Sequence, residues 1–180
     1  MTLIDSGRKI VMEYDKKFVK DFVERTKYNL IQLEPQTDKE VTLLLNSLLG
    51  LLIIPEQKGY NELGKFIMNT QVYEEFCNKA VRSTEKDVEG NLPQKILFRH
   101  LRNAVAHANI KFGLKDHKIN RIILYDKEAC SECNQSKHRK IAGKQYCFYV
   151  ESEIPMFRNF VIEFATAMAN HLSAKQKNSK

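Results

Sequence analysis

Tryptophan is absent from this chain of 180 residues, and glycine (7), proline (4) and cysteine (4) are scarce. So few turn formers exclude collagen-like and low-complexity chains, and they speak against a β-sandwich, which needs a turn signal roughly every 8 to 12 residues. Long hydrophobic runs are also missing. The most apolar stretch, Val41 to Ile54, is interrupted by Thr42, Asn46 and Ser47 and falls short of the roughly 20 residues that a membrane helix needs. No basic start is followed by an apolar segment and a small-residue cleavage site, so no secretory signal is expected and the chain is expected to be cytoplasmic. In a reducing compartment the cysteines argue against a disulfide framework and leave metal binding or packing as their roles.

An apolar content of 43% is enough for a sizeable core and too high for a disordered chain. One domain is expected over 1–173, with 174–180 a disordered, polar and basic tail. Lys and Arg number 29 against 22 Asp and Glu, a formal charge of +7. That surplus is spread along the chain and favours a polyanionic partner without naming one.

Periodicity points to helices. From Glu13 to Leu33 the residues Tyr14, Phe18, Phe22, Leu30 and Leu33 recur near helical spacing, with basic residues between them. A second helix is expected to open with Thr37 as N-cap and Glu40 as its capping-box partner, and to stop at Pro55. Apolar residues surround most of it, which implies a central position in which Asn46 needs a hydrogen-bond partner. One or two short helices are expected over Asn61 to Val81, and a charged loop over Arg82 to Gly90. Asn91 and Pro93 signal a helix start, with the helix running to about Asn109. Ile119 to Tyr125 and Gln145 to Val150 read as two antiparallel strands joined by a long basic connection, Asp126 to Lys144. A last helix, Pro155 to Leu172, carries the seam Phe157, Phe160, Phe164, Met168 and Leu172. The fold class is therefore mainly α: a helical bundle with a β-hairpin inserted before the final helix.

The densest chemistry is FRHLRNAVAHANI, Phe98 to Ile110, in which Arg99 to His107 hold two arginines, an asparagine and two histidines on one helix. A solvated helix face would account for such residues, since Leu101, Ala104, Val105 and Ala108 suffice for a buried side. At about 100° per residue Asn103 and His107 share a face, whereas Arg102 and His107 stand about 140° apart. One helix cannot easily close these last two over a single reacting group. Two copies packed across a two-fold axis could, which predicts a homodimer with a composite site.

R-N-A-V-A-H, from Arg102 through Asn103 to His107, resembles the signature of the HEPN (higher eukaryotes and prokaryotes nucleotide-binding) superfamily, an Arg and a His separated by four to six residues. The leucine-rich helix VTLLLNSLLGLLIIP, Val41 to Pro55, is similar to the element that precedes that motif in small prokaryotic HEPN proteins, and the resemblance extends from about Tyr14 to Leu172. It implies a HEPN-like helical bundle that dimerises through the motif helices. It further implies a metal-independent endoribonuclease of toxin or anti-phage defence systems, with RNA as substrate, an antitoxin or regulatory protein as a possible partner, and no cofactor. In that chemistry the RNA 2′-OH is the nucleophile, so the enzyme supplies a proton acceptor, a proton donor and positive charge on the phosphate. His107 suits proton transfer, Arg102 suits the phosphate, and Asn103 could orient the imidazole or donate to a phosphate oxygen. Alternatives are an inactive HEPN module that binds RNA or nucleotide, and a helical interaction protein of a toxin–antitoxin pair.

Arg99, one turn before Asn103, could track the RNA backbone, while His100 is expected to be an ordinary solvated side chain. Lys137, Arg139 and Lys140 in the long connection are expected to hold phosphates, solubility being the plainer role. Cys130, Cys133 and His138 resemble the start of a zinc knuckle, with Cys147 as a distant fourth ligand. Its spacing is wrong for a knuckle and it lies in a strand pattern, so a metal-free connection is the expectation. Cys77 reads as a small buried apolar residue.

Overall fold

A computed structural model of the chain describes residues 3–32, 34, 39–57, 66–79, 81–83, 92–126, 139–141, 144–146 and 148–177. Its elements are α1 (Leu3–Gln32), α2 (Glu40–Gln57), α3 (Thr70–Lys79), β1 (Val81–Ser83), α4 (Gln94–Ala106), β2 (Ile110–Lys115), β3 (Lys118–Asp126), β4 (Arg139–Ile141), β5 (Lys144–Tyr146), β6 (Phe148–Glu153) and α5 (Ile154–Lys177). The protein is a mainly helical bundle with antiparallel strands before its last helix, the architecture expected from the sequence.

The core gathers around α5. Phe157, Phe160, Phe164, Met168 and Leu172 are all buried, so the expected seam faces inward along its whole length. Phe76 of α3 stacks on Phe160, with centroids 4.0 Å apart, and Phe98 of α4 lies 4.6 Å from Phe164. These contacts fix α4 against α5 with one flank turned towards the strands. In α1 the buried stripe is Val19, Val23, Thr26 and Leu30, while Phe18 is exposed. Two stripes one residue apart satisfy the same helical spacing, and the valine stripe is the one that faces the bundle. Phe22 instead crosses α2 at Gly50, where a Cβ would meet the ring at 2.5 Å.

Several details differ from the expectations. The helix begins at Leu3 rather than Glu13, and α5 continues to Lys177, so Ala174 to Lys177 are helical. Asn46 is exposed and needs no buried partner, because α2 leaves the Thr42 and Asn46 side open to solvent. Thr37 lies outside the described residues. Glu40 is buried, and its Oε1 accepts from Arg158 Nη1 of α5 at 3.1 Å. Nη2 of the same guanidinium donates to the Leu30 carbonyl at 3.3 Å, satisfying an acceptor that the last turn of α1 leaves without an intrahelical partner.

The strands form more than a hairpin. Their order is β1-β6-β3-β2, all antiparallel, with β4 and β5 paired separately. The two expected strands pair over part of their length: β3 lies against β6 with Leu124 opposite Val150, whereas Gln145 and Tyr146 belong to β5 and pair with β4 instead. Val81–Ser83, within the expected helix end and loop, adds one edge, and β2 adds the other. β2 and β3 are joined by Asp116 and His117, both with positive φ (52° and 62°), the two-residue turn whose twist matches a hairpin. Neither residue is a glycine, which is why the turn is hard to see in sequence. Among the described residues, no helix is long and apolar enough to cross a membrane.

Candidate functional site

The site is built where α4 ends. Leu97, Phe98, Leu101, Ala104 and Val105 bury one face of the helix, leaving Arg102, Asn103 and the C-terminal turn towards its margins. The helix stops at Ala106, short of the expected Asn109. His107 is its C-cap, and Ala108 takes the left-handed conformation, φ 51°. The Ala108 N–H then bonds the Val105 carbonyl at 3.1 Å and the Asn109 N–H bonds the Ala104 carbonyl at 2.8 Å, the paired closure of a Schellman turn. Glycine normally marks that position, and its absence explains why the helix end is invisible in the sequence. His107 therefore projects from a corner, exposed, three residues before β2 begins. Among the described residues its side chain makes no hydrogen bond.

Asn109, at the far side of this turn, accepts a backbone hydrogen bond from Tyr125 of β3 at 3.1 Å. Along β3 the residues Ile122, Leu124 and Asp126 alternate with Ile123 and Tyr125, so Asp126 shares the helix-facing side with its cross-strand partner Phe148. His100, expected at the surface, is instead buried at this junction. Its ring stacks on Phe148 with centroids 4.9 Å apart and planes 6° apart. His100 Nδ1 lies 2.9 Å from Asp126 Oδ2, and Asn103 Nδ2 donates to the same oxygen at 3.0 Å. Since an ionised carboxylate only accepts, the proton of this contact belongs to His100 Nδ1.

Asn103 is in turn the acceptor for Arg102 Nη2, through Oδ1 at 3.4 Å. The guanidinium is thus drawn sideways around the helix towards the Asn103 flank, which His107 shares. No hydrogen bond joins Arg102 to His107 among the described residues. Asn103 does not hydrogen-bond the His107 imidazole either; its side chain is engaged by the Asp126 carboxylate and the Arg102 guanidinium.

The other expected site residues are described only in part. Arg99 is partly exposed on α4. Lys137, Cys130, Cys133, His138 and Cys147 lie outside the described residues. Arg139 and Lys140 fall in β4, and their side chains are likewise outside them. Among the described residues, no group of three or more His, Cys, Asp or Glu side chains is placed to hold a metal ion. Cys77 is buried in the core, as a packing residue should be. Sequence reasoning missed Asp126 and His100. Their signal was weak: an acidic residue closing a β-branched run, and a histidine three positions before Asn103 on the same flank of the helix.

No curated protein and no solved structure gives a significant match. A family model described as HEPN pEK499 p136 matches residues 12–175, from within α1 almost to the end of α5, and includes the whole R-N-A-V-A-H segment. The match takes in nearly the entire chain, and the chain belongs to the HEPN family.

Proposed function

We propose that the protein is a metal-independent HEPN endoribonuclease, acting on RNA as a cytoplasmic homodimer in toxin or anti-phage defence. The observation that carries this reading is the corner at the end of α4. It combines an exposed His107, free of side-chain hydrogen bonds among the described residues, with a guanidinium drawn towards its flank by Asn103. An RNA phosphodiester seated there meets an imidazole that takes the 2′-OH proton and, in its charged form, donates to the departing 5′ oxygen. Arg102 neutralises the crowded phosphate through paired N–H groups. The new bond joins the 2′ oxygen to phosphorus as the 5′ oxygen leaves, giving a 2′,3′-cyclic phosphate and a 5′-OH without a metal-activated water. In the dimer, Arg102 of one protomer works with His107 of the other, which resolves their offset of about 140° around the helix.

The test is cleavage of single-stranded RNA in EDTA by wild type, His107→Ala and Arg102→Ala. Wild type should cut and leave cyclic-phosphate ends, a strand with 2′-deoxy linkages should stay intact, and both variants should be inactive while keeping their circular dichroism. Undiminished cleavage by both variants would remove the assignment.

A second reading is favoured by one observation. Phe112 and Leu114 of β2 and Ile119 of β3 are exposed on an edge hairpin that also carries Lys111, Lys115 and Lys118. An apolar strip with basic neighbours suits an acidic protein such as an antitoxin. Absence of RNA cleavage together with tight capture of an acidic partner would favour that reading.

A further inference from the structure

The ribonuclease reading uses Arg102, Asn103 and His107 but gives no role to the junction beneath them. That junction is built around one oxygen. Asp126 Oδ2 accepts from both His100 Nδ1, at 2.9 Å, and Asn103 Nδ2, at 3.0 Å. His100 is almost wholly buried, with its side chain 1% exposed, and its ring lies flat on Phe148, so the first contact cannot swing freely. Asp126 is held by the strand: its neighbour Tyr125 is tied through its N–H to Asn109, and Asp126 itself pairs with Phe148.

An asparagine amide has two chemically opposite ends that differ little in shape. Which end faces a neighbour is decided by what that neighbour can do. A carboxylate offers no donor, so Asp126 requires the NH₂ end of Asn103, and the carbonyl oxygen must face the other way. It faces Arg102, whose Nη2 lies 3.4 Å from it. Turned over, the amide would set its NH₂ against the guanidinium, donor against donor.

We infer that Asp126 is the positioning residue of this site: held by His100, it fixes the orientation of the Asn103 amide and through it draws Arg102 towards the His107 flank. The inference rests on the ribonuclease reading, because the geometry it protects is that of the phosphate-binding arginine. It assigns His100 a buried supporting role, which explains a histidine where a leucine would otherwise pack.

The experiment is a double-mutant cycle in kcat/KM for RNA cleavage by the full chain, with Asp126→Ala and Asn103→Ala alone and combined. Each single change should lower kcat/KM about tenfold, and the double variant should be no slower than Asn103→Ala, because Asp126 acts through the amide. Should Asp126→Ala fail to fold, the isosteric Asp126→Asn replaces it, with a smaller loss and the same absence of a further loss in the double variant. A purely structural Asp126 would lower the melting temperature and give losses that multiply in the double variant. Multiplying losses, or wild-type kcat/KM in a folded Asp126 variant, would overturn the inference while active wild type and inactive His107→Ala still upheld the ribonuclease. An inert wild type would remove both.

Discussion

The Asn109 carbonyl accepts the Tyr125 N–H at 3.1 Å, pinning the chain two residues past His107 to the residue before Asp126. This backbone bond joins the end of the motif helix to the strand that anchors it, beside the contacts of His100 and Asn103 with Asp126. The Schellman closure points His107 outward, and the strand returns Asp126 beneath Asn103. Residues 102–107 are contiguous in sequence, but their arrangement depends on Asp126, at the end of β3 and 19 positions after His107.

Strain at the turn gives the first prediction. Ala108 has φ 51°, a conformation that costs an L-residue with a Cβ about 1–2 kcal/mol and glycine almost nothing. Glycine also frees the unfolded chain, at a cost of about 0.5–1 kcal/mol, so the two effects oppose and the strain term is the larger. Ala108→Gly should therefore raise unfolding stability by about 0.5–1 kcal/mol, and Ala108→Val should lower it. Urea unfolding midpoints decide this, and a glycine variant weaker than wild type would contradict the Schellman closure.

Helix existence and the aromatic seam of α5 were legible in the sequence because each rests on local spacing. Phe157, Phe160 and Phe164 alternate by three and four, and all are buried. The motif residues were equally local. What escaped was set by contacts between distant segments or by backbone conformations adopted without their usual residue. Ala108 and the Asp116–His117 pair take positive φ with no glycine to announce it. No residue of β2 is buried, Ile110 and Gly113 being half-buried and the other four exposed, so the strand has no core face for the sequence to mark, and His100 is buried because Phe148 and Asp126 arrive from the sheet.

The second prediction concerns the clamp between helices. Arg158 joins Glu40 and the Leu30 carbonyl, and the side chains of the ion pair are 13% and 5% exposed. Removing one partner leaves a carboxylate in a site where water reaches it poorly. Arg158→Ala should cost about 3–5 kcal/mol. Replacing both charges, as Arg158→Met with Glu40→Leu, removes the stranded charge and should recover most of that loss. Thermal or urea unfolding of the single and double variants checks it; equal losses in both would show that the buried carboxylate is not the cause.

The third prediction tests the composite site. If each active centre takes Arg102 from one protomer and His107 from its partner, a mixed dimer of Arg102→Ala and His107→Ala chains contains one centre with both residues intact and one with neither. Each variant alone should be inactive. Mixed, dissociated and reassociated in equal amounts, half the dimers are mixed and half of their centres are whole, so about a quarter of wild-type activity should return. Co-expression with two different tags isolates the mixed dimer, in which about half should return by the same count. A mixed dimer that forms and stays inactive would mean that Arg102 and His107 of the same chain serve one phosphate. The sideways pull of Asn103 on Arg102 would then have to span the whole offset between the two side chains within one helix.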